Sequence, residues 1–336
     1  MKPAFLFASL LLAGFNALSA ETNALVAKVL PKAPAVMPGK GIKQHPFLYA
    51  GEWDTRKPFK QSMFIVRNGK VVWHYSHPLR NAAGGIQEFD DATLLPNGNV
   101  IFSYMSGAAM LSQEKNMVWQ YPAPAGTEVH SIQSIGPDRV LIMRNGNPPQ
   151  AMIFNTASNK LEKEIPIPTT VKGTHGQFRH IRMTRAGTIL VPHLGEGKVV
   201  EYDLEGKELW SVPAKSAWSA IRLKNGNTLI AGDASRYARE VNPKGETVWE
   251  LTQADVDFKL GNIQTANRLA NGNTVMCCWI AGNNKTEEWA GTIQVFEVNP
   301  AKKVVWALSS WKDPDLGPAT SIQLLDEPGP FEDEQR

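Results

Sequence analysis

The side chains able to do chemistry are histidines, arginines and aspartates, interleaved with tryptophan. Of the seven histidines, six (His74, His77, His130, His175, His180 and His193) fall at the ends of short apolar runs or in the connections between them. Asp90 and Asp91, His130, Arg179 and His180, Trp218, Gln264 and Thr320 share a further property: each group stands at the start of an apolar run that recurs along the chain. Equivalent positions in a repeat become neighbours when the repeats close on themselves, so these residues are expected around one opening. His130 and His180 with Arg179 are the candidates for catalysis. A neutral imidazole can attack or accept a proton, and a guanidinium offsets charge developing on oxygen. Histidine beside Asp90 or Asp91 also suits zinc or manganese, although no pair has a diagnostic ligand spacing. The candidates for ligand contact are Asp90, Asp91, Arg144, His193, Trp218, Asp233, Arg236, Gln264 and Trp279. No phosphate-binding loop, dinucleotide fingerprint, zinc-protease helix or nucleophile elbow stands in its required context.

The elements that must position these groups are repeats. Gln87 to Gln120 holds an apolar run, an Asn-Gly turn at Asn97-Gly98, a second run at Val100 to Tyr104, a third at Ala108 to Leu111, and a last run ending in Trp119. Asn-Gly between apolar runs predicts a hairpin with a type I′ turn, so the unit reads as four antiparallel strands. First strands recur near Asp91, Ser131, Arg179, Ser219, Thr265 and Ser321, at spacings of about 40 to 56 residues. The fourth strand carries its own mark, ending in Trp73, Trp119, Trp210, Trp249 and Trp306, and a copy near Leu161 lacks the tryptophan. Four-stranded units at this period predict an all-β fold, a six-bladed β-propeller. The last copy supplies one inner strand, Ser321 to Leu325. The runs from Phe47, Met63 and Lys70 supply its three partners, so the N-terminal strands close the ring. The expected blades are 91–121, 131–168, 179–212, 219–251, 265–308, and 321–325 with 46–75.

Residues 1–20 read as a secretory signal peptide: a basic Lys2, an apolar run and Leu18-Ser19-Ala20 before the expected cleavage. No cysteine follows the run, which points to a periplasmic or secreted protein without a lipid anchor. Residues 21–43 read as a linker rich in Ala, Pro and Lys, and 44–336 as the single propeller. A net charge of +3 without a basic block argues against a nucleic-acid partner, and no second apolar stretch is long enough to span a membrane. A monomer is expected. Cys277 and Cys278 are adjacent, alternate in face, and are expected to stay reduced in the core.

Repeats of the form LPNGN followed by DLEGKELW resemble exported bacterial β-propellers of the PQQ-like and arylsulfotransferase-like kind. Quinoprotein dehydrogenases of that class use eight blades and a metal-held quinone, so six blades point away from PQQ. The arylsulfotransferase likeness implies a histidine that takes a sulfuryl group, with His130, His180 and Arg179 where such groups would stand. Three readings follow. The first is a propeller that binds a carbohydrate, an aromatic small molecule or a protein partner at its His/Trp/Arg-rich face. The second is an arylsulfotransferase-like transferase, and the third a hydrolase or lyase that uses a divalent metal.

Overall fold

The computed structural model describes residues 30–327; the expected signal peptide and the first part of the linker lie outside them. Six separate four-stranded antiparallel sheets form the blades of a six-bladed β-propeller. Blade one is Ala92–Leu94, Val100–Tyr104, Gly107–Leu111 and Met117–Pro122. Blade two is Glu128–Ser134, Arg139–Asn145, Gln150–Asn155 and Lys160–Pro166. Blade three is Arg182–Met183, Ile189–His193, Lys198–Tyr202 and Glu208–Pro213. Blade four is Ala217–Arg222, Thr228–Gly232, Tyr237–Val241 and Thr247–Leu251. Blade five is Asn262–Arg268, Thr274–Trp279, Val295–Val298 and Val304–Leu308. Blade six takes its inner strand, Ala319–Leu324, from the end of the chain, and Phe47–Gly51, Lys60–Arg67 and Lys70–Pro78 from the beginning. The seam is antiparallel, with Phe47 opposite Leu324 and Tyr49 opposite Ile322, so the ring has no open edge there.

The Asn-Gly turns differ from the expected type. Gly98, Gly226 and Gly272 have φ of 86°, 84° and 87°, but the preceding asparagines are not in the left-handed region. In the first turn, Gly98 N–H donates to Leu95 O and Leu95 N–H to Asn99 O, which makes a three-residue loop closed by a glycine bulge. The same pattern recurs at Leu223 to Asn227 and Leu269 to Asn273, where Lys224 and Ala270 stand in place of Pro96, so the loop type does not depend on proline. Each asparagine accepts from the backbone two residues on, as Asn97 Oδ1 does from Asn99 N–H at 3.0 Å.

The fourth-strand mark has a physical basis. In every blade the pairing of strands three and four shifts register once, as between Met110 and Leu111. The bulge turns the residue before four of the five tryptophans outward, which leaves Val72, Val118, Leu209 and Val248 exposed at 57%, 51%, 50% and 53%, while Val305 before Trp306 is half-buried. The tryptophan itself reaches the next blade. Trp73 Nε1 donates to Gln113 O, Trp119 to Asn159 Oδ1, Trp210 to Pro243 O and Trp249 to Pro300 O. Trp306 donates instead to Gly41 O, in the short 3-10 turn Gly41–Lys43 that precedes blade six. A second ladder runs beside the first. Glu201 pairs with Arg222 and Glu240 with Arg268, each arginine coming from the next blade and lying over Trp210 or Trp249. At the seam His45 takes the arginine's place, bonded to Glu297 at 3.2 Å and to Asp326 at 3.1 Å.

Apolar side chains fill the spaces between blades. Cys278 packs in the cluster of blades four and five and Cys277 in that of blades five and six, both free and buried. Among the described residues no helix is long and apolar enough to cross a membrane.

Candidate functional site

All six blades send polar side chains to one mouth of the central channel. Glu52 follows the second strand of blade six; Glu88 and Asp90 precede the first strand of blade one. Glu128 and His130 open blade two, His175 and Arg179 precede blade three, Trp218 and Asp233 belong to blade four, and Gln264 to blade five. The pairs 88/90 and 128/130 are two apart in extended chain, which directs both members to the same side. A Cβ on Gly51 would run into Leu316 O, so glycine lets the chain pass closely just before Glu52.

His130 is the centre of the arrangement and is fully buried. Its Nδ1 lies 2.9 Å from Glu88 and 3.0 Å from Asp90, and its Nε2 lies 2.8 Å from Glu128. His175 is its neighbour, edge to face at 5.4 Å between ring centres, and bonds Glu128 at 3.1 Å and Glu88 at 3.3 Å. His175 is 49% exposed and stands where the cluster meets solvent. Arg179 donates to His175 O and Phe178 O and lies 4.5 Å over the Trp218 ring. On the other flank Glu52 accepts from Phe89 N–H at 3.2 Å and from Gln264 Nε2 at 3.3 Å.

These contacts divide the acids. Burial opposes charge on Glu88 and Glu128, yet Arg179 and the two histidines hold Glu88 well below the usual range, and the two histidines bring Glu128 down to about 2. Burial pushes Glu52 well up, helped by the charges of Asp90 and Glu88, and pushes Asp90 up to about 7. Burial and Arg179 disfavour charge on His130, but Asp90 and Glu128 outweigh them and raise it well above its ordinary value. Hydrogen bonds to Glu128 and Glu88 raise His175 to about 9. Two imidazolium–carboxylate pairs thus stand beside Glu52, which burial keeps protonated, with Asp90 between them titrating near neutrality.

The sequence-derived candidates separate into groups. Asp90, His130, Arg179, Trp218 and Gln264 converge on the mouth. Asp91 turns into the channel, where it binds Arg182 in a two-pronged ion pair and accepts from Ile132 N–H. The void there is only about 40 Å³, room for water and not for an organic ligand. His180 does not pair with His130: its backbone joins Trp218 O, and both ring nitrogens are buried without a partner, the ring kept neutral by burial that lowers it to about 4. His193 is a satisfied core histidine, its Nδ1 against Glu196 and its Nε2 facing the Tyr202 hydroxyl. Arg144 donates to Gln150 and Tyr121 within and beside blade two.

Arg236 and Trp279 belong to a cleft beside the mouth. Its volume is about 500 Å³; Arg236, Lys259, Asn262, Trp279 and Lys285 line it, with Glu288 paired to Lys285, while Asp233 stands just outside it, bonded to Asn262. Arg236 and Lys259 make no side-chain hydrogen bond or ion pair among the described residues, and Trp279 Nε1 is buried without a partner. Arg236 has a φ of 53°, and so does Trp53, which meets Trp279 edge to face at 6.2 Å. A left-handed backbone at two bulky residues is strain of the kind that gathers at functional sites. Asn262 joins cleft to mouth. It hydrogen-bonds Asp233, whose carboxyl burial pushes up to about 6, and stands two residues before Gln264. Sequence reasoning missed Glu52, Glu88 and Glu128 and chose His180 over His175. The available signal was the two-residue spacing of Glu88 from Asp90 and of Glu128 from His130.

The fold defines the chain as a closed six-bladed propeller with an acidic, histidine-centred mouth. No protein-family model matches the chain, and no curated protein matches it in sequence. Solved structures do resemble it. A protein of unknown function from Bacteroides caccae is similar with a TM-score of 0.70 at 24% identity, over 83% of this chain and 98% of that one. A catalytically inactive virginiamycin B lyase from Staphylococcus aureus, with quinupristin, is similar with a TM-score of 0.50 at 11% identity, over 81% of this chain and 87% of that one. Likeness at these identities bears on the fold alone.

Proposed function

We propose that this is a binding propeller for a small molecule that carries a ring and a negative charge, an acidic sugar or an aryl acid. The cleft beside the channel mouth supports this reading. Its volume of about 500 Å³ suits a ligand of that size. The ring would lie against Trp279, whose face suits sugar C–H surfaces and aryl rings alike, and the acidic group would meet Arg236 and Lys259. Sulfuryl transfer through His130 fits less well, because carboxylates engage both of its nitrogens and hold it protonated, whereas a nucleophile needs a free lone pair.

The test is calorimetry and thermal melting of the purified protein against uronic acids, sulfated sugars, aryl carboxylates and aryl sulfates, with neutral sugars as controls. Acidic ring compounds should bind and raise Tm without being turned over. Arg236→Ala and Trp279→Ala should each weaken binding about tenfold or more. Equal binding of neutral and acidic sugars, or full affinity in both variants, would refute the reading.

A further inference from the structure

We infer that the channel mouth holds a divalent cation that prefers oxygen ligands, calcium, magnesium or manganese, bound by Glu52, Glu88 and Asp90. One carboxylate oxygen from each lies within 4.8 Å of those from the other two, and all three residues are buried. That spacing accommodates one ion at about 2.1 to 2.5 Å from each oxygen. The acids come from two adjacent blades, six and one, and fixed elements set their spacing.

An acidic cluster alone does not make a site; the second observation comes from blade five. Gln264 is fully buried, and its amide nitrogen lies 3.3 Å from Glu52. Its Oε1 has no partner, and neither has Asp90 Oδ1. Two oxygen acceptors left open in a dry environment are costly unless something supplies positive charge. The amide's two ends are near-isosteric, so a half-turn about the last side-chain bond would present Oε1 to an ion held by Glu52. The separation that serves as a hydrogen bond without metal then becomes a spacing between two ligands of one ion.

The alternative set, Glu88 with His130 and His175, has a composition that suits zinc. Both nitrogens of His130 are taken, Nδ1 by one oxygen each of Glu88 and Asp90 and Nε2 by Glu128, whereas the oxygen set keeps Asp90 Oδ1 and Gln264 Oε1 open.

The experiment uses the mature protein stripped with EDTA and titrated calorimetrically with CaCl2, MgCl2, MnCl2 or ZnCl2 and no organic ligand. One hard cation per chain is expected. Glu52→Gln and Asp90→Asn should each weaken it by about tenfold or more, and Glu196→Gln, outside the cluster, should leave it unchanged. Crystals of the unsubstituted protein soaked in MnCl2 give a readout that needs no variant: an anomalous peak should lie between Glu52, Glu88 and Asp90. No binding at millimolar cation, a peak elsewhere, or zinc binding alone would overturn the assignment. The cation is the only probe, so a negative result here leaves the cleft reading standing, and failure of the cleft to bind ligand leaves the cation site standing.

Discussion

The two faces of the disc treat the same residue types in opposite ways. On the face of the outer turns, each repeat tryptophan gives its indole N–H to the neighbouring blade or to the segment before blade six, and Arg222 and Arg268 are both paired and stacked. At the channel mouth, Trp218 Nε1, Arg179 Nε, Asp90 Oδ1 and Gln264 Oε1 are buried and unpartnered. The first pattern repeats and its polar groups are satisfied, so it holds blade to blade. The second does not repeat, because each blade contributes its own set of side chains to one opening. Cohesion is periodic in this molecule, and the unsatisfied polar groups gather where the period breaks.

Three substitutions sharpen that contrast. The largest expected effect is on the saturated side. Trp306 is fully buried at the seam and bonded to Gly41 O, so Trp306→Ala should cost about 4 kcal/mol of stability, read from urea unfolding. A loss under about 1 kcal/mol would mean that the ladder is dispensable. The mouth should respond unevenly. Glu88→Gln strands His130, His175 and Arg179 without their shared counter-charge and should cost about 3 kcal/mol. Glu52→Gln replaces a carboxyl that burial already keeps protonated, and should leave metal-free stability within about 0.5 kcal/mol. Equal losses in the two variants would contradict the division of the acids into charged and protonated sets.

The smallest effect concerns His45. Burial disfavours its charge, but Glu297 and Asp326 raise its titration above the ordinary value. A raised folded-state value means that this stabilisation is complete below about pH 6.5 and fades as pH rises through the shifted value. Melting curves of the unsubstituted protein and His45→Gln should therefore differ most near pH 5.5 and converge in alkaline buffer. A gap that widens with pH would reverse the sign and exclude the charged seam.

The sequence made the saturated face readable and the open face only partly so. Trp73, Trp119, Trp210, Trp249 and Trp306 stand at a recurring place after a turn, and that recurrence marked the fourth strand, the blade count and the split blade. The same logic found Asp90, His130, Arg179, Trp218 and Gln264, because the start of each inner strand is a repeat position too. Glu52 and Glu88 escaped because they lie in connections without a repeat, where a glutamate usually signals only solvent, and Glu128 because it stands at the very start of its strand, two residues before the repeat position of His130. His175 and His180 were not told apart for a related reason. The short turn Thr174–Gly176 brings His175 back over Glu88, a local geometry that no spacing announces. The Asn-Gly turns show a third limit: the dipeptide located the hairpin correctly, but only its glycine takes the left-handed conformation, in a three-residue loop one residue longer than a type I′ turn.

The divided sixth blade also has a consequence for the order of folding. Blades one to five are each built from consecutive strands, so each can form from contacts close in sequence. Phe47 and Leu324, by contrast, must meet across nearly the whole described chain. Bringing distant segments together costs chain entropy that no local contact offsets in advance, and such pairings set the slow step of folding. Until the strand Ala319–Leu324 arrives, Phe47–Gly51 presents an unpaired row of backbone N–H and C=O groups between largely apolar side chains. The device that leaves the finished ring without an edge therefore concentrates the risk of aggregation in the interval before it closes.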